Sequence, residues 1–376
     1  APASPLMPTP PGPRPFGSAF ERLEDRNLPA AAFGVPWADP GHLTLSFVPD
    51  GTATPRGPAT TTQTLGTAAD WQREVLRAFQ TWAAVSNVNI GLVADGGQAL
   101  GTHGAVQGDA RFGDVRVAAA PLPPDVIGSA LPFSWTGTTY AGDVLLGSDF
   151  TYGAGDADGV IDVYSVALHE AGHALGLGHA DADGVPQPCG CSACLSLRTG
   201  SAMDAGYKYT TGLGGGDVGA IQRLYGARTP DAYDAAGGND TPARASALKS
   251  GGLAGRLVAD ADLTTTADVD YFKFSTLPTL GLTHVTVRLQ AAGLSLVTPR
   301  VTVYDAAGRV VASEVTTDPL DNDLTLRFRN ATFGGTYTVK VEGATDDAFG
   351  VGAYRLTVDT VNLDVVPLPA LGSLLS

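Results

Sequence analysis

Residues 70–85 read DWQREVLRAFQTWAAV, where Trp71, Val75, Phe79 and Trp82 recur at three- and four-residue intervals, and this predicts an amphipathic helix with Asp70 as its N-cap. A second helix is predicted over GGDVGAIQRLYG at 215–226: Asp217 caps it, Val218, Ile221 and Leu224 form its apolar face, and Gly226 ends it. LTLSF at 43–47, DVRVAAA at 114–120 and GDVLL at 142–146 read as strands. IDVYSVALHE at 161–170 leads into a further helix. Past residue 226 the character changes. DYFKFSTL, HVTVRLQ, RVTVYDAAGRVVAS, LTLRFRN, TYTVKVEG and AYRLTV are strand-like runs parted by turn residues, with a hairpin turn at 305–308 and no helix of comparable strength, so an all-β sandwich is expected.

These patterns divide the chain. Residues 1–35 are expected to be a disordered arm, with seven prolines in the first fifteen residues, followed by the element FERLEDRNLPA. Residues 36–227 form the first domain, 228–238 a Pro-, Gly- and Asp-rich linker, 239–360 the sandwich and 361–376 a tail. Few contacts are expected to cross such a linker, so a chain ending near Gly226 should fold alone.

The candidate chemistry is concentrated in HEAGHALGLGH at 169–179. Residues four apart share a helix face, so His169 and His173 can grip one metal ion. Gly176 lets the helix stop and the chain turn back, bringing His179 round as a third ligand. Three neutral imidazoles suit zinc and leave a fourth tetrahedral position for water, whose proton Glu170 can take.

This motif, followed by Ser201-Ala202-Met203, resembles the metzincin metallopeptidases, whose HExxHxxGxxH precedes a methionine turn. The resemblance implies an α+β catalytic domain with a twisted, mostly parallel sheet, an antiparallel edge strand and three main helices. It also implies one catalytic zinc on His169, His173 and His179, Glu170 as general base, and Met203 as a hydrophobic floor under the imidazoles. The helices at 70–85 and 215–226 resemble those of the matrixin branch, and GDVLL is similar to the edge strand over the cleft. The loop 180–201 departs from matrixins. It is longer, it holds every cysteine (Cys189, Cys191, Cys194), and with Asp181 it is reminiscent of the adamalysin branch. A Cys189–Cys194 disulfide, a second metal on C-x-C-x-x-C and reduced thiols all remain open for it. The element at 20–30 is similar to one near the start of many large bacterial secreted proteins. NDTPARASAL and DVDYFKF, within 239–359, resemble the bacterial pre-peptidase C-terminal domain, a usually non-catalytic module.

Two acidic stretches offer hard oxygen ligands for calcium: Asp156, Asp158 and Asp162, and more weakly Asp318, Asp321 and Asp323. A net charge of −15 argues against nucleic acid and anionic membranes as partners, and no apolar run spans a bilayer. Export would rest on a signal already removed. The expected function is that of a secreted or cell-surface bacterial zinc endopeptidase acting on proteins or peptides, with cell-surface or matrix association through the sandwich. The competing expectation, a non-catalytic adhesion or scaffold protein keeping a protease fold, is disfavoured by the intact Glu170.

Overall fold

A computed structural model describes residues 34–133, 138–180, 200–234, 238–252, 255–276, 283–330 and 334–360. The proline arm, the LEDR element, Cys189, Cys191, Cys194 and the tail 361–376 lie outside the described residues.

The first half is built on β1 (Leu43–Phe47), α1 (Trp71–Ala83), β2 (Ile90–Leu92), β3 (Val115–Ala120), β4 (Gly128–Ala130), β5 (Val144–Gly147), α2 (Val163–Ala174) and α3 (Gly215–Tyr225). The strands form one sheet in the order β2-β1-β3-β5-β4, parallel throughout except for β4, which runs antiparallel to β5 and closes the edge. The run GDVLL is therefore an interior strand. The edge belongs to Gly128–Ala130, too short to show a period of two in the sequence. All six residues of β3 are buried because both faces are covered. Val115, Val117 and Ala119 face the main core, while Ala118 and Ala120 pack with Val48, Leu100 and Leu145 on the other side. Arg116 is also buried, held by Asp95 through two bonds of 2.8 Å.

Helix α1 forms where the spacing predicts, with Val75, Leu76, Phe79 and Trp82 fully buried. Asp70 does not cap it: the residue sits in the left-handed region at φ 54° and its side chain makes no capping bond. Trp82 joins α1 to α2 by donating its Nε1 hydrogen to the carbonyl of Leu168 at 2.9 Å.

The second half is a sandwich of two five-stranded sheets. Its strands are β6 (Ser246–Ala247), β7 (Lys249–Ser250), β8 (Arg256–Leu263), β9 (Val269–Ser275), β10 (Thr283–Gln290), β11 (Pro299–Asp305), β12 (Val310–Val315), β13 (Leu324–Asn330), β14 (Thr336–Gly343) and β15 (Gly352–Asp359). The sheets run β6-β9-β14-β11-β12 and β7-β8-β15-β10-β13. Alternate residues such as Val285, Val287 and Leu289 on β10 and Val339 and Val341 on β14 meet in a separate core.

The two halves are packed together, contrary to the expected autonomy. Phe349 and Leu296 of the second half are 0% exposed and belong to the core of the first. Gln80 of α1, 1% exposed, donates to the carbonyls of Ala348 at 2.9 Å and Val351 at 2.8 Å. Arg228 donates to the carbonyls of Ala83 and Val88 and pairs with Asp262 of β8 at 2.6 Å. The polar composition of 228–238 therefore provides cross-links between the halves as well as turns.

Candidate active site

Asp162 starts the metal-motif helix. Its Oδ2 accepts from the backbone N of Ser165 at 2.8 Å, satisfying one of the free amides of the first turn. The helix ends in a Schellman turn: Gly176, at φ 97°, donates to the carbonyl of His173, and Leu177 donates back to Gly172. This turn does two things. It returns the chain so that His179 faces His173, and it places the Leu177 carbonyl 2.7 Å from His173 Nδ1. The Nε2 atoms then converge, that of His173 lying 3.0 Å from His169 and 3.1 Å from His179.

Second contacts fix these rings. His169 Nδ1 lies 2.9 Å from the carbonyl of Ala202, so the Nδ1 hydrogens of His169 and His173 go to backbone oxygens and their Nε2 lone pairs point inward. Ala202 is held in turn by Asp217, a fully buried residue of α3. Its Oδ2 accepts from the amides of Ala202 and Gly214 at 2.8 Å each, and its Oδ1 accepts from the Ser201 hydroxyl. The sequence identifies Asp217 as a cap, and its bond to Gly214 is a capping bond. Its tie to the Ser201–Met203 turn is visible only in the fold. Met203, 0% exposed, lays its sulfur against Gly172 on the metal-motif helix.

A Cβ at position 172 would stand 2.2 Å from the Met203 sulfur and 3.0 Å from the Trp82 ring. Gly172→Ala is thus expected to cost about 1–3 kcal/mol of stability through overpacking, read as a lower thermal midpoint. An unchanged midpoint would contradict the close approach.

Glu170 projects beside the triad and is buried, 4% exposed. Its Oε2 has no hydrogen-bond partner, and burial pushes its carboxyl up to about 8. Edge strand β4 passes directly over it, since a Cβ on Gly128 would fall 2.5 Å from Oε1. Tyr152 stands on the same side, donating between the carbonyls of Ile127 (3.2 Å) and Gly147 (3.0 Å); burial, and then the charge of Glu170, raise its hydroxyl pKa. Burial likewise lowers His173 to about 4, and burial with the neighbouring imidazoles holds His169 well below the usual histidine range. Neutral imidazoles, two of them buried and one partly so, with converging Nε2 atoms are the donor set of a zinc site that keeps an open position, so the residues fit that ion.

The expected calcium ligands are not brought together. Asp162 spends one oxygen on Ser165 and the other on the amide of Gly155 at 2.7 Å, while Asp156 and Asp158 are exposed. Asp323 accepts from Ala291 and Ala292, and Asp318 from Leu320. Gly128, Tyr152 and the Leu177 and Ala202 carbonyls are missed by the sequence reading. A backbone carbonyl leaves no mark in residue type, and a lone glycine gives no clue to what passes over it.

Residues 59–188 match the family model of Matrixin, peptidase family M10. No curated protein matches the chain. Among solved structures, it is similar to the pre-peptidase C-terminal domain of a collagenase from Bacillus anthracis, at 13% identity over 30% of this chain and 90% of that one, TM-score 0.22. It is also similar to a periplasmic inhibitor of g-type lysozyme from Aeromonas hydrophila, at 11% identity over 31% and 94%, TM-score 0.23. Likenesses this slight carry no argument. Among the described residues, no helix is long and apolar enough to cross a membrane.

Proposed function

We propose, from the premise that residues 59–188 are matrixin-like, that this protein is a secreted bacterial zinc endopeptidase hydrolysing proteins or peptides, with Glu170 as its general base. One observation carries the reading: three imidazole Nε2 atoms converge at 3.0 and 3.1 Å beside a buried carboxylate that has an oxygen without a partner. His169, His173 and His179 would hold the ion, which when bound supplies a Lewis acid that polarises the peptide carbonyl and acidifies water. Oε2 of Glu170 has no hydrogen-bond partner, so its carboxylate is available to take a proton from water and return it to the departing amine. Desolvation makes that carboxylate a stronger base than one in water. The Leu177 and Ala202 carbonyls keep two of the rings in the tautomer that presents Nε2. The sandwich would serve association with a cell surface or matrix.

Metal analysis should return one zinc per chain, and cleavage of a generic protein substrate should stop with a chelator and resume on zinc addition. Cleavage indifferent to the chelator, or no cleavage by the zinc-loaded chain, rejects the reading.

Gly128 offers a finer test. Gly128→Ala pushes a methyl group into Glu170, and a displacement of this size is expected to lower kcat by about tenfold to a hundredfold while leaving KM and zinc content near normal. Adding Glu170→Asp, which shortens the side chain, should cost less in that background than in the parent. Equal losses in both backgrounds would deny the contact.

A further inference from the structure

The sandwich carries a basic area on a chain whose net charge is −15. Val285, Val287 and Leu289 of β10 and Leu324, Leu326 and Phe328 of β13 are buried in the second core, so the residues alternating with them lie on the outer face of the sheet β7-β8-β15-β10-β13. The strand pairing sets His284 opposite Arg329, Thr286 opposite Arg327, and Arg288 between Thr325 of β13 and Thr357 of β15. Arg256, at the start of β8, stands opposite Asp359 at the end of β15. Among the described residues, four arginines thus share one end of this face with a single aspartate.

That aspartate is already engaged: the Asp359 carboxylate accepts from Arg256 Nε at 2.8 Å and from Arg288 Nη1. Arg327 and Arg329 are exposed and have no carboxylate partner among the described residues. Alternate residues of a strand stand about 7 Å apart, within the screening length of physiological salt, so the two guanidinium groups repel and an external anion relieves the repulsion. The opposite end of the sheet is occupied by the first half, where Asp262, near the end of β8, pairs with Arg228 and accepts from Asn89 at 3.2 Å. The basic end is the one left open to a partner.

The class of partner follows from what this face holds. None of the exposed large apolar side chains among the described residues lies on β8, β10, β13 or β15, so the dry centre of a protein–protein interface is missing, as is an apolar anchor for a membrane. No Phe, Tyr or Trp occupies the outer positions of these strands, so nucleic-acid bases have nothing to stack on. What remains is guanidinium groups, which bind oxyanions through a planar fork of donors, interleaved with the hydroxyl-bearing Thr325 and Thr357, which suit sugar hydroxyls. Repulsion from acids elsewhere on the chain is screened beyond about 8 Å at physiological ionic strength, so the local arginines decide.

We propose that the end of the face formed by Arg256, Arg288, Arg327 and Arg329 is a docking surface for an anionic polysaccharide, one bearing carboxylate or sulfate groups. It gives a chemistry to the surface or matrix association proposed for the sandwich and rests on that reading, while the peptidase reading stands or falls apart from it. A polymer laid across the strands from β8 to β13 meets charges over about 14 Å.

The test uses the full chain loaded with zinc, titrated with dextran sulfate and, as the uncharged control, with dextran. Dextran sulfate should bind saturably at about 50 mM salt and at least about tenfold more weakly at about 300 mM, while dextran should not bind. Replacing both exposed arginines, Arg327→Gln with Arg329→Gln, should weaken binding about tenfold, the loss of two exposed ion pairs, at an unchanged thermal midpoint. Arg309→Gln, at an arginine of the other sheet whose side chain is 80% exposed, should bind as the parent does. Cleavage of a short peptide by each variant should equal the parent's, which separates loss of docking from failure of the peptidase reading. The proposal is overturned if the parent does not bind dextran sulfate at the lower salt, if the double variant binds as the parent does, or if Arg309→Gln weakens binding as much. Tighter binding of single-stranded DNA or of phosphatidylglycerol vesicles than of dextran sulfate would overturn it as well.

Discussion

Glu170→Gln is expected to retain zinc and lose peptidase turnover by about a hundredfold to ten-thousandfold, the range that a positioned general base contributes. Glutamine fills the same space under Gly128 and beside Tyr152, so the three imidazoles and their carbonyl partners stay in place. What is lost is the ability to accept a proton. His173→Ala provides the contrast, since it removes the ring whose Nε2 lies 3.0 Å from that of His169 and 3.1 Å from that of His179 and should release the metal together with the activity. Metal content and turnover measured on the two variants separate proton handling from metal holding. Near-parental turnover in Glu170→Gln would discard Glu170 as the base.

A chain ending at Gly226 is expected to be insoluble or to unfold at a much lower temperature, the reverse of what the linker-like composition of 228–238 suggests. Truncation removes Phe349 and Leu296 from the core of the first half, the carbonyls that accept from Gln80, and the Arg228 cross-link. Emptying a buried phenylalanine site alone costs about 3–5 kcal/mol, against a total stability of about 5–15 kcal/mol for an ordinary domain. Phe349→Ala in the full chain isolates that part: its denaturation midpoint should fall accordingly, and because α1 carries Gln80 on one side and Trp82 against the metal-motif helix on the other, activity should fall at temperatures near the new midpoint. If the truncated chain unfolds at the parental midpoint and cleaves peptides, the contacts between the halves contribute nothing to the first domain.

The sequence by itself determined what local rules govern. Helix α1 follows from four apolar residues at helical spacing, and the convergence of the candidate metal ligands follows from two histidines a turn apart, a glycine able to reach φ 97°, and a third histidine beyond the turn. Such features depend on neighbours within a few residues, so periodicity and residue type reveal them. The strand runs after residue 226 predicted a β-rich second half for the same reason. Only the tertiary structure decided the rest. Asp162 and Asp217 show the same acidic residue type. One caps the metal-motif helix; the other ties α3 to the Ser201–Met203 turn. Their partners lie in separate segments or in the backbone, and neither is encoded in side-chain pattern. GDVLL became an interior strand because β4, three residues long, pairs outside it. Arg327 and Arg329 join Arg288 on one face because the chain returns across more than thirty residues to pair β13 with β10. Long-range pairing of this kind is fixed by burying two cores and the contact between them, a global free-energy balance that no short window of residues contains.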